Sequence, residues 1–107
     1  MAYRGKCAMS GCDATEALEA AHIIPYSCRG TNDLSNGLSL RADLHTLLDL
    51  RLLAIDPESM RIIVSPKLAN TAYFEFHTKK LHLPVRTIDR PSKVFLRKLL
   101  AVADVHR

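Results

Sequence analysis

The amino-acid sequence predicts an α+β fold, in which a strand–turn–strand–helix unit is followed by a β-hairpin and a C-terminal helix. Three observations carry that expectation. The run LEAAHIIP at 18–25 is apolar for most of its length and is stopped by a proline. An Asn-Gly pair at 36–37 precedes a second short apolar run. From about Ala42 the leucines recur at helical rather than alternate spacing.

Each element has its own physical reason. Pro25 ends the first strand because it has no N–H to give a central ladder. SCRGTND at 27–33 reads as a loop. Asn36 and Gly37 both tolerate the positive φ of a tight turn, and they lead into a second strand, LSL at 38–40. Leu44, Leu47 and Leu48 then form a helical stripe, with Asp43 near the helix start, where a carboxylate suits the macrodipole. LLAID at 52–56, a turn at 57–59 and MRIIVS at 60–65 read as a hairpin. The segment 66–84 is mixed, with Tyr73, Phe74 and Phe76 able to supply core or an edge strand. Residues 91–107 read as a helix with Pro91 at its entry, an apolar stripe of Phe95, Leu99 and Val102, and Lys93, Arg97 and Lys98 facing outward.

The chemistry-bearing residues concentrate between Ala20 and Asp49. His22 follows an apolar stretch and can exchange a proton near neutral pH. His45 and Asp49 are four apart, so they project from one side of a helix and could hold a cation there, or simply hydrogen-bond on its surface. Asn36 could brace the intervening loop or serve only as a turn residue. His22 by itself would pass for a half-buried strand histidine.

Taken together, the series His22, Asn36, His45 resembles the HNH endonuclease family. AAHIIPY followed by SNGLSLRADLHTLLD is similar to its restriction-type branch, with eight residues between Asn36 and His45 and three between His45 and Asp49. The resemblance implies a ββα-metal (His-Me finger) core, with the added hairpin and C-terminal helix around it. It implies a catalytic set of His22, Asn36 and His45, in which His22 is the general base and Asn36 holds the loop. His45 and Asp49 become the ligands of a divalent metal. Mg²⁺ is the first expectation, and Mn²⁺, Ni²⁺ or Zn²⁺ would be accepted by the same nitrogen and oxygen donors. One departure is Ala21, at a position where family members often carry a further ligand, which argues for weak metal binding in the absence of DNA.

Cys7, Cys12 and Cys28 are odd in number and irregularly spaced, which suits reduced thiols better than a disulfide scaffold. CAMSGC could be half of a zinc site. The places where many HNH proteins carry a second cysteine pair hold Arg41 and Leu44, so no structural zinc is expected and a tight turn with buried thiols is the preferred reading.

With 107 residues and 48% hydrophobic content, the chain is sized for one core. The expectation is a single nuclease domain over 1–107, with a core at 7–56 and an extension at 57–107. It could stand alone as a phage or plasmid product or form the catalytic module of a larger protein with a fused or separate recognition domain. No apolar run approaches the roughly 18 residues of a membrane span, and no leader is visible, so the reading is cytoplasmic and without a membrane partner. The net charge of +4 is uneven: residues 79–107 carry eight Lys/Arg against two Asp, and residues 1–78 carry seven against nine acids. A cationic tail suits DNA, through Lys93, Arg97 and Lys98 with Arg41 and Arg51 flanking the helix, although from charge alone a solvated helix face accounts for it as well. Cutting both strands with one metal site would require a homodimer or sequential nicks. The competing functional readings are a non-catalytic DNA-binding or interaction module that keeps the fold, and a nuclease toxin or effector.

Overall fold

Two antiparallel strand pairs and two helices make up the architecture of the computed structural model, which describes residues 3, 5–23, 37–84 and 90–105. Strand β1 (Leu18–His22) pairs with β2 (Gly37–Arg41) in a register that sets Glu19 opposite Leu40, Ala21 opposite Leu38 and His22 opposite Gly37. Opposed residues of an antiparallel pair share a pleat face. Leu38, Leu40 and Ala21 are all buried, so this face is the inner one. Helix α1 (Ala42–Asp49) follows β2 without any connecting loop and packs back on both strands, burying Leu44 and Leu48. Of the turn tip expected at Asn36 and Gly37, Asn36 lies outside the described residues, and Gly37 is already the first residue of β2, paired with His22.

The second pair, β3 (Leu53–Ile55) with β4 (Ile62–Val64), is the hairpin read from the sequence. Its turn is shaped by Asp56, whose carboxylate accepts the Glu58 and Ser59 amides at 2.8 and 3.3 Å. All three β3 residues are buried because α1 and α2 both pack against this strand, which explains an apolar run without alternation.

The ambiguous stretch after β4 resolves into 3₁₀ turns at Pro66–Leu68 and Ala72–Phe76, with Phe76 buried. It then runs along β4: Ile62 exchanges backbone hydrogen bonds with Lys79 and Thr78, and the Val64 amide donates to His77 Nδ1 at 3.0 Å. The two strand pairs are stitched together by Ala8, whose N–H donates to Ser39 and whose carbonyl accepts from His82, both at 2.7 Å.

Helix α2 (Lys93–Val102) is capped by Ser92, and Pro91 stands just outside it. Its buried stripe differs from the expected one. Leu96, Leu99 and Ala103 face the core, Phe95 packs only partly, and Val102 is 52% exposed. The helical period permits either 95–99–102 or 96–99–103, and docking on β3 selects the second. Among the described residues no helix is long and apolar enough to cross a membrane.

Candidate active site

Helix α1 begins at a charged anchor. Asp43, in its first turn, accepts from the Leu44 amide at 3.0 Å, from Arg41 Nε and Nη2 at 2.7 and 3.1 Å, and from the Tyr73 hydroxyl at 2.8 Å. The Arg41 hydrogen bond, helped by Tyr73, pulls the Asp43 carboxyl down to about 2. Arg41, expected as a nucleic-acid contact, is therefore held in a bidentate fork with part of its hydrogen-bonding capacity committed.

One turn further along α1, His45 Nε2 stands 3.4 Å from Asp49 Oδ2, and the Asp49 side chain is 62% exposed. The separation suits a shared cation. Two donors bonded at roughly 2.0–2.2 Å to one ion lie about 3–3.5 Å apart along an edge of its coordination shell. Among the described residues no three His, Cys, Asp or Glu side chains form a metal-holding group. The pair offers at most two donors, and an ion placed there would have to take its other positions from water or phosphate oxygen.

A third side chain, which the sequence reading passed over, meets this edge. Glu19 Oε1 lies 2.7 Å from His45 Nδ1. Glu19 sits on the inner pleat face, two residues before buried Ala21 and opposite Leu40, so at the rim of the sheet it leans toward α1. The usable signal was that alternation, which puts a carboxylate in phase with Ala21 and Ile23.

His22 occupies the last position of β1, half-buried, opposite a residue with no side chain. Strand alternation sets it with Ala20 and Ser39 on the pleat face away from Glu19 and Ala21. The structure thus brings His45, Asp49 and Glu19 together and leaves His22 at the end of the strand on the opposite pleat face. Asn36 lies outside the described residues.

The remaining cations are dispersed. Arg51 follows α1 with φ 62°, and its amide donates to Leu48 while its carbonyl accepts from Asp104. Lys93 and Arg97 both reach Glu58, at 3.6 and 3.0 Å, so part of the positive charge of α2 is already matched. Lys98 is exposed.

Cys7 and Cys12 are free thiols in a tight turn, in which Gly11 (φ +73°) lies against the His82 ring. Cys7 Sγ accepts from the Ser10 and Arg41 amides, each at 3.3 Å. Burial raises the thiol's pKa, and hydrogen bonds from Ser10, Arg41 and Met9 outweigh it, leaving a lowered value. The Arg41 contact fastens the N-terminal turn to the start of α1. Cys28 lies outside the described residues.

Comparisons with known proteins bear on the family and the fold. The profile of the HNH endonuclease family matches residues 7–56, the stretch that holds the cysteine turn, the first strand pair and α1. Among solved structures, a chain described as a modification-dependent TagI restriction endonuclease superposes with a TM-score of 0.65 at 18% identity, over 95% of this chain and 34% of that one. At that identity the likeness is one of fold, and this chain spans about a third of the other's length. No curated protein matches.

Proposed function

Starting from an HNH endonuclease match seated on β1, β2 and α1, we propose that the protein is a metal-dependent endonuclease that hydrolyses DNA phosphodiester bonds through a ββα-metal core. The observation that carries the reading is the His45–Asp49 edge, two donors 3.4 Å apart on the helix of that unit, His45 half-buried and Asp49 exposed.

In this reading His45 Nε2 and Asp49 Oδ2 hold the divalent ion. When bound, the ion neutralises charge on the phosphate and its departing 3′ oxygen. His22 takes the proton from the attacking water, a role worth about 10²- to 10⁴-fold in rate. Its place at the end of β1 sets a requirement. The phosphate must reach from the His22–Gly37 end of the strand pair to the ligand edge, which the Glu19–His45 contact sets toward the other end of the ladder and on the other pleat face. Asn36 braces the loop that returns the chain to β2. Arg41, held in shape by Asp43, and Arg51 at the far end of α1 are positioned as phosphate contacts, with Lys98 on α2 as a more distant one. Mg²⁺ and Mn²⁺ are the first ions to supply.

The test is nicking of supercoiled plasmid with Mg²⁺ or Mn²⁺. Open-circle product that disappears with a chelator, and that falls by about two orders of magnitude or more in His22→Ala, supports the proposal. Salt-sensitive DNA binding without cleavage under Mg²⁺, Mn²⁺, Ni²⁺ or Zn²⁺ would replace it with a binding module that has kept the fold.

A further inference from the structure

We infer that Glu19 is a positioning residue for the ligand edge: through His45 Nδ1 it fixes which imidazole nitrogen faces Asp49. This rests on the reading of His45 and Asp49 as cation ligands.

A metal takes an imidazole nitrogen through its lone pair, and which nitrogen is offered depends on the hydrogen bond made by the other. Glu19 Oε1 lies 2.7 Å from Nδ1, within the range of a charge-assisted N–H···O⁻ contact. A carboxylate can only accept there. In the neutral ring that a metal requires, the proton therefore belongs on Nδ1, and Nε2 is the nitrogen offered on the side of Asp49 Oδ2, 3.4 Å away. Spacing along α1 cannot do this alone, because the ring could turn over and keep the same i, i+4 relation.

The Glu19 carboxylate comes from a different element. Its height along the helix is set by strand register, Glu19 opposite Leu40, immediately before the chain enters α1. The Glu19 side chain is 51% exposed, so it contributes an acceptor rather than core packing. Ala21, the β1 residue just before His22, has only a methyl group and offers no ligand. On the same pleat face, two residues upstream, Glu19 supplies a carboxylate that acts on the metal through the histidine.

The test uses the full chain, Co²⁺ titration by calorimetry, and proton–nitrogen correlation spectra of the Zn²⁺ complex. In the wild type, Zn²⁺ should shift Nε2 of His45 and leave a slowly exchanging Nδ1 proton. Glu19→Ala should lower Co²⁺ affinity by about 10- to 100-fold and abolish that slow proton. Glu19→Gln, whose amide oxygen still accepts, should fall between the two, with the urea midpoint of both variants unchanged. The inference is overturned if Glu19→Ala binds Co²⁺ like the wild type while Asp49→Ala loses it, or if Zn²⁺ shifts Nδ1 instead. If His45→Ala and Asp49→Ala both bind Co²⁺ like the wild type, the ligand reading itself fails and the role of Glu19 fails with it.

Discussion

Neutralising Asp43 should destabilise the protein in a way that depends on pH. Its carboxyl lies at about 2, against an ordinary value of 3.8, because Arg41 and Tyr73 stabilise the anion. A folded-state pKa below the unfolded one means the contribution is fully present above about pH 4 and is lost as pH falls toward 2. A gap of nearly two units would correspond to about 2.5 kcal/mol for a shielded group. The side chain is 37% exposed, so solvent screening reduces the expectation to about 1 kcal/mol. Urea unfolding of the wild type and Asp43→Asn should then differ by about 1 kcal/mol at pH 7. The difference should shrink steadily below pH 4. Tyr73 supplies an independent check. Asp43 raises its hydroxyl above the usual phenol range, and ultraviolet titration of Asp43→Asn should bring it back down. A stability difference that stays constant from pH 7 to pH 2.5, or a Tyr73 titration that does not move, would refute the assignment of the anchor to charge.

Three further outcomes are expected. Arg51 adopts φ 62° at the end of α1, a conformation that favours glycine, so Arg51→Gly should raise stability by up to about 1 kcal/mol in urea unfolding; a loss would show that its side chain contributes more to the fold than its backbone costs. Leu99→Ala should cost about 2–5 kcal/mol while Val102→Ala stays within about 0.5, and equal losses would return the buried stripe of α2 to the phase expected from the sequence. Glu58→Gln frees Lys93 and Arg97, so if α2 lies on DNA, fluorescence anisotropy should show tighter binding and a salt slope steeper by about one to two units; unchanged binding would take α2 off the interface.

The strand, helix and hairpin elements were legible because each is marked by a local rule: the apolar runs at 18–22 and 38–40, helical spacing at Leu44 and Leu48, and a turn at 57–59 between two apolar runs. The phase of α2 was not, since Val102 and Ala103 are both apolar and only docking on β3 separates them. That His45 and Asp49 share one side of α1 followed from helical period, and they stand 3.4 Å apart there. Glu19 escaped because its contact spans 26 residues and depends on strand register, which no local window records. The ion pairs of Lys93 and Arg97 with Glu58 escaped for a like reason: a count of charges gives their number, and tertiary packing decides which are already matched.

Arg41 is at once the last residue of β2 and the residue that caps α1, so there is no slack between sheet and helix. Inserting a single residue at that joint would turn everything downstream by about 100° and advance it by about 1.5 Å. Such an insertion would swing the His45 ring out of reach of Glu19, whereas one in the exposed turn at 58–59 would leave both in place. Length variation among relatives with working sites should therefore be tolerated in the hairpin turn and absent at the 41–42 peptide.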